Sequence, residues 1–344
     1  MDPLLQAFWG LMEPVTLLTL FVSVAVGLII GAIPGLSVNI AVALAVPLTI
    51  FMPTDQALVT LIGLYGAGIF GGSISAILLN APGTPASAAT IFDGYPMAQQ
   101  GLATKALRIS LIASAFGSIF SIVLLVLLAP QLANFALRFG PVEIASLLFF
   151  TFLIIGILSG NSLMKGLLSG AIGMLLATVG TDPMVGTPRF TFGSTALMDG
   201  LTYVPLLVGL FAVAEIIEEA TRRFSQGTRK FDLGDENVEA NRLRWTEFKG
   251  MLMPMTRASA IGSAIGIMPG IGATIASFMS YADAKRSLNK DNTFGRGDPR
   301  GVAVSESANN AVVGATFIPT LALGVPGDAV TAILLGALVL QGVT

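Results

Sequence analysis

The first 104 residues contain no lysine or arginine and only four acids, Asp2, Glu13, Asp55 and Asp93, set among long apolar runs. Such a chain cannot cover itself with a hydrated surface. Across all 344 residues 54% are hydrophobic and 11% charged, where a soluble domain carries about 25% charged residues. A helix crossing the hydrocarbon of a bilayer needs about 20 apolar residues. Runs near that length lie at 14–33, 36–52, 56–80, 109–129, 142–160, 166–180, 201–217, 251–268, 271–281, 302–323 and 330–343. The predicted fold class is an all-α polytopic membrane protein. No basic n-region precedes the first run, so no cleavable signal peptide is expected.

Absent residue types exclude much chemistry. With no His and no Cys, zinc sites, thiol nucleophiles, Ser-His-Asp triads and disulfides are ruled out. No paired-aspartate arrangement stands in for them, so neither an enzyme nor a bound cofactor is expected. A net charge of −2 gives no nucleic-acid footprint.

Cytoplasmic loops collect Lys and Arg. Seven of the 18 basic residues fall in the 218–250 linker, and five more lie between Lys285 and Arg300. With both loops inside and one crossing per run, Lys105, Arg108 and Lys165 also fall inside, and only Arg138 and Arg189 outside. The expectation is a periplasmic N-terminus and a cytoplasmic linker. The flanks of the first two runs hold no base, so 14–52 is predicted to enter and return as a hairpin. The second hairpin, 251–284, has basic loops at both ends and opens the opposite way.

The two hairpins also match in sequence. Gly27-x-x-x-Gly31-x-x-Pro34-Gly35 recurs 235 residues later as Gly262-x-x-x-Gly266-x-x-Pro269-Gly270, and seven of fifteen positions over 27–41 and 262–276 are identical. A second pair follows: Gly83-Thr84-Pro85-Ala86-Ser87 resembles Gly324-Val325-Pro326-Gly327-Asp328, offset by 241. Five crossings separate the hairpins, and an odd number inverts the second copy. The predicted organisation is a first repeat over 1–217 (hairpin 14–52, broken segment near 81–90), a linker over 218–250, and an inverted repeat over 251–344 (hairpin 251–284, broken segment near 323–331). Inverted repeats with broken helices are the architecture of many secondary transporters, whose substrate sites lie at mid-membrane.

Pro removes a backbone donor and Gly lets the chain reverse. The peptide groups freed at a break cost several kcal/mol each in lipid unless protein, water, ion or substrate satisfies them. A half-helix starting after Pro34-Gly35 offers N–H groups to an anion, with Ser37 and Asn39 beside it and Thr274 in the other copy after Pro269-Gly270. Hydroxyls cluster at Thr84, Ser87 and Thr90, although such groups also bond back to their own helix. Asn309 and Asn310 are adjacent amides inside a span. Ionisable residues in a membrane are functional candidates. Glu306 and Asp328 are the strongest, Glu306 being equally compatible with a solvated span end and Asp328 with a helix cap. Asp93-Gly94-Tyr95-Pro96 reads as a turn. Thr90, Glu306, Asp328 and Thr331 are the candidates for holding a coupling ion, Na⁺ or H⁺. The lack of histidine removes one proton relay and favours Na⁺.

Gly31–Leu36, Gly71–Ser87 (with its Asn-Ala-Pro-Gly-Thr-Pro-Ala-Ser core), Asp93–Ala98, Glu306–Ala311 and Leu323–Gly327 together resemble the large membrane subunit of bacterial tripartite tricarboxylate transporters. The likeness covers essentially the whole chain. It implies a solute:cation symporter of the bacterial cytoplasmic (inner) membrane. Its partners would be a small four-span membrane subunit and a periplasmic solute-binding protein delivering an organic carboxylate such as a tricarboxylate. By carry-over Pro34, Gly35, Gly83–Ser87, Pro269, Gly270, Asn309, Asn310 and Gly324–Gly327 would line the site. Asp328 departs from the small uncharged residue expected there. The resemblance also implies further membrane segments after Thr344, so a truncated sequence is expected. A channel with re-entrant loops is the alternative reading.

Overall fold

The computed structural model describes residues 3–138, 162–182, 186–223, 239–289 and 292–343, with positions 140, 142, 143, 145, 146 and 149. Most of the 142–160 run, and residues 224–238 of the 218–250 linker, lie outside the described residues. The described chain is helical apart from a two-residue antiparallel pair, β1 (Gly180–Thr181) and β2 (Pro188–Arg189), in register Gly180↔Arg189.

A short α1 (Pro3–Leu11) precedes α2 (Pro14–Ala32). Proline forces the residue before it out of the helical region. Hence α2 ends before Ile33, which is extended at φ −88°, ψ 111°. Gly35 then turns the chain at φ 89°, and α3 (Val38–Thr49) starts from a Ser37 cap. The second copy obeys the same physics. Here α10 (Trp245–Ile267) stops before Met268, at φ −83°, ψ 116°, and α11 (Gly272–Leu288) follows Pro269-Gly270.

Between these lie α4 (Thr54–Leu79), α5 (Ala88–Gln99), α6 (Ala103–Ala136), α7 (Leu163–Ala177), α8 (Tyr203–Leu207) and α9 (Ala214–Arg223). A wide-turned π stretch, Val208–Val213, joins α8 to α9. The chain closes with α12 (Pro299–Ala315), α13 (Phe317–Leu323) and α14 (Ala329–Leu340). Among the described residues three helices, α2, α4 and α6, are long and apolar enough to cross a membrane. The outer faces of α2 and α6 expose Leu18, Phe21, Ile29, Ile119 and Leu127, which suits contact with lipid.

Two expectations need correction. Asp93–Pro96 is no turn: all four residues lie inside α5, and Asp93 is fully buried. Tertiary bonds to its carboxylate override the local turn preference. Glu306 is no solvated span end either, being 0% exposed. It sits on α12, a helix whose residues 301–315 are all buried.

Close helix approach explains that burial. A methyl on Gly31 of α2 would lie 2.1 Å from the carbonyl oxygen of Gly68 on α4, and one on Gly27 would lie 2.7 Å from that of Leu64. In the second copy a methyl on Gly262 would lie 2.3 Å from the Ala308 carbonyl oxygen, and one on Gly266 would lie 3.1 Å from that of Val312. Small residues at such positions let backbones touch. On another side of α12, a methyl on Gly117 of α6 would lie 2.2 Å from the Ser307 carbonyl oxygen.

Three loops rich in Lys and Arg come together. The Asn241 side chain accepts from the Lys105 amide at 2.8 Å and donates to the Gly101 carbonyl at 2.8 Å. Gln100 Nε2 donates to the Arg296 carbonyl at 2.8 Å. The segments around 101–108, 241–249 and 292–300 therefore form one cluster.

Candidate functional site

In each half the two helix breaks touch. Gly83 donates to the Gly72 carbonyl at 3.2 Å, and a methyl on Gly83 would lie 2.0 Å from the Gly31 carbonyl oxygen, in the last turn before Pro34-Gly35. In the other half Gly270 donates directly to the Gly327 carbonyl at 2.8 Å. Geometry pairs these breaks with a shift of three residues from the sequence motif. Asn80 and Gly324 both end helices in the left-handed region, at φ 51° and 66°. Thr84 and Asp328 both cap the next helical run through reciprocal bonds, with Ser87 and Thr331 respectively. Matching positions are thus 244 apart, so Gly83 corresponds to Gly327 rather than to Gly324. Caps and left-handed helix ends set this register, not the Pro-containing motif.

Several candidate hydroxyls serve their own backbone. Ser37 accepts from the Ile40 amide at 3.4 Å, Thr84 from the Ser87 amide at 3.3 Å, and Ser87 donates to the Thr84 carbonyl at 2.8 Å. Thr331 donates to Asp328 Oδ1 at 2.8 Å, and the Tyr65 hydroxyl donates to Asp328 Oδ2. Pro34, Gly35, Asn39, Pro269, Thr274 and Pro326 are half-buried at the breaks, whereas Pro85, Gly270 and Gly324 are exposed.

The densest polar cluster surrounds Glu306. Thr90 donates its hydroxyl to Oε1, and Ser114 donates to Oε2 at 3.1 Å. Asn310 Nδ2 donates to Ser114 Oγ at 2.8 Å and to the Glu306 carbonyl at 3.0 Å. The hydroxyls of Ser73 and Ser110 neighbour the carboxyl and are buried without a hydrogen-bond partner. None of the ion pairs among the described residues includes Glu306. A buried carboxylate normally needs a counter-charge, a metal or a proton; here helices α4, α5, α6 and α12 surround it with neutral oxygens. One position beyond this cluster, Asn309 is 0% exposed, and neither atom of its amide has a partner.

Sequence reading missed Ser73, Ser110, Ser114 and Tyr65. Only the recurrence of small hydroxyls within the apolar runs of α4 and α6 signalled the serines. Asp93 is a structural anchor: its Oδ1 accepts from the amides of Gly295, Gly297 and Asp298 at 2.8, 2.9 and 2.8 Å, and its Oδ2 from the Tyr281 hydroxyl at 2.8 Å.

The chain is 38% identical over 333 residues to an uncharacterised 52.8 kDa protein of the TAR-I ttuC' 3' region of Agrobacterium vitis, covering 97% of the chain and 65% of that relative. A second Agrobacterium vitis protein, uncharacterised and from the TAR-II ttuC' 3' region, is 47% identical over 83 residues, 24% of the chain and 34% of the relative. The chain thus spans less than two thirds of the length of these relatives. No solved structure matches it. The model of the tripartite tricarboxylate transporter TctA family matches residues 17–344, and the chain belongs to that family.

Proposed function

We propose that this chain is the large membrane subunit of a tripartite, binding-protein-dependent secondary transporter that takes up an organic carboxylate together with a cation. It works in the bacterial cytoplasmic membrane with a small four-span subunit and a periplasmic binding protein, its N-terminus periplasmic and its linker cytoplasmic. Two inverted copies of a broken-helix module form the transport path. Support comes from the matched packing of Gly27/Gly31 on α4 and Gly262/Gly266 on α12, and from the contact between breaks within each half.

One observation carries the reading. Glu306 is fully buried without a basic partner, ringed by Thr90 and Ser114, one residue-turn from the unpartnered amide of Asn309. An intramembrane carboxylate held by neutral oxygens is suited to load and release a cation, Na⁺ or H⁺. Broken helix ends and Asn309 supply donors for an anion. Loading of both would bias the bundle between its outward- and inward-open forms.

The test is uptake of labelled carboxylates by the complete three-component system, with and without a Na⁺ gradient and with and without a pH gradient. Saturable, gradient-driven uptake supports the reading. Passive flux at near-diffusional rate, with no coupling to either ion, identifies a channel instead.

A further inference from the structure

The 244-residue correspondence extends beyond the breaks. Leu64 and Gly68 of α4 receive Gly27 and Gly31 as Ala308 and Val312 of α12 receive Gly262 and Gly266. Gly72, against Gly83, is matched by Thr316, against Gly327. In this register Tyr65 corresponds to Asn309, and Asp328 to Thr84.

One of the two equivalent places is filled. The Asp328 carboxylate sits on the first turn of α14, where Oδ1 accepts from the Thr331 amide at 2.8 Å and Oδ2 accepts from the Tyr65 hydroxyl on α4. A carboxylate is thus held between a helix start and a core helix, as the positive end of a helix favours.

The other place lacks that carboxylate. A 3-10 turn, Pro85–Ser87, runs directly into α5, so the helical run spans 85–99 and begins at Thr84. Thr84 and Ser87 bond only within the cap. Along α12 the run is antiparallel: Asp93 lies against Gly301 and Thr90 bonds Glu306. Counting on by three residues from each partner brings Asn309 towards the start of the run, and in the 244-residue register it takes the place of Tyr65. Its amide is completely buried and both its polar atoms lack partners. A buried unpaired amide costs about 1–3 kcal/mol, a cost that a ligand arriving at this place would offset.

We propose that the start of the 85–99 helical run, with Asn309, is the seat of one carboxylate group of the transported acid. Asp328 is the chain's own carboxylate occupying the equivalent seat in the other half. Of these two equivalent seats one is filled by the chain and the other is exchangeable, although the two halves share one design. This assignment rests on the carboxylate-uptake reading above and adds the half in which the anion sits.

The test uses purified protein in lipid nanodiscs, with thermal unfolding followed against citrate, succinate, benzoate and acetate at constant ionic strength. Saturable stabilisation of the wild type by at least one of these is expected. Asn309→Ala should weaken the apparent affinity tenfold or more. Thr84→Asp, which installs a resident carboxylate, should abolish the response. Asp328→Ser should retain the response and add a second, acetate-dependent stabilisation as acetate replaces the missing side chain. An unchanged response in Thr84→Asp, loss of the response in Asp328→Ser, or no wild-type response to any of the four acids overturns the assignment. Uptake by the three-component system separates the two ideas. Carboxylate binding without uptake removes the transport reading and leaves the seat. Normal uptake by Thr84→Asp removes the seat and leaves the transport reading.

Discussion

Lys105 Nζ lies 2.7 Å from Glu247 Oε1 and joins the start of α6 to the start of α10. The lysine side chain is 10% exposed, while the glutamate remains 36% exposed. Burial alone would raise the Glu247 carboxyl. The Lys105 hydrogen bond and charge, with the Arg244 amide, outweigh it and hold the carboxyl below its ordinary value. Asp298 is likewise lowered, against its burial, chiefly by the Arg300 and Thr293 hydrogen bonds.

Because both carboxyls titrate lower when folded, their stabilising contribution is complete above the ordinary carboxylate range, about pH 4. It is lost as the pH falls through their depressed values. The thermal midpoint of the purified protein should drop on acidification below pH 4, and Glu247→Gln should flatten that part of the profile. At pH 7 this substitution should cost about 1 kcal/mol, since the pair is partly in water.

Glu306→Gln keeps the shape of the side chain and removes its charge. Uptake by the complete system should fall at least tenfold and lose its dependence on the coupling cation. Stability should not fall, because neutralising a buried carboxylate that has no basic partner removes a desolvation penalty. Labelled uptake and thermal unfolding on the same preparation check both outcomes. Wild-type cation dependence in the variant removes Glu306 from the coupling site.

Asn310→Ala should abolish uptake while leaving membrane insertion intact. Asn310 Nδ2 bridges Ser114 to the Glu306 carbonyl, so its loss frees Ser114 from the arrangement around the carboxylate. Quantified membrane-fraction protein beside uptake is the measurement. Normal transport would take Asn310 off the site.

Asp93→Ala strands three loop amides and the Tyr281 hydroxyl. At about 1 kcal/mol or more for each lost partner, a loss of about 4 kcal/mol or more is expected. Limited proteolysis should show faster cutting between residues 289 and 298. Gly301→Ala should act in the same direction, because its methyl would lie 2.0 Å from Asp93 Oδ2.

Gly31→Ala places a methyl 2.1 Å from the Gly68 carbonyl oxygen and should cost about 1–3 kcal/mol through overpacking. Gly173→Ala, with nothing within 4 Å of its added methyl, is the control and should be silent. Thermal unfolding in one detergent compares the pair directly.

Long apolar runs and Pro-Gly pairs made much of the helical layout readable from the residues alone. The extended Ile33 and Met268 before Pro34 and Pro269 are local consequences of proline geometry, which operates whatever the surroundings. Asp93 was misread because Asp-Gly-Tyr-Pro favours a turn locally, whereas its carboxylate is satisfied by a loop some 200 residues away. Glu306 was recognised as a candidate, but the serines about it come from α4 and α6, and no spacing rule links helices so far apart. The three-residue register shift was hidden for a similar reason: an Asn and a Gly share one left-handed helix-end role without sharing a sequence motif.

Residues 301–315 of α12 are sheathed on every side, and two of the closest contacts are glycines resting on carbonyls at Ser307 and Ala308. Neither position has room for even one extra carbon, so enlarging either glycine would displace the whole rod that carries Glu306 and Asn309.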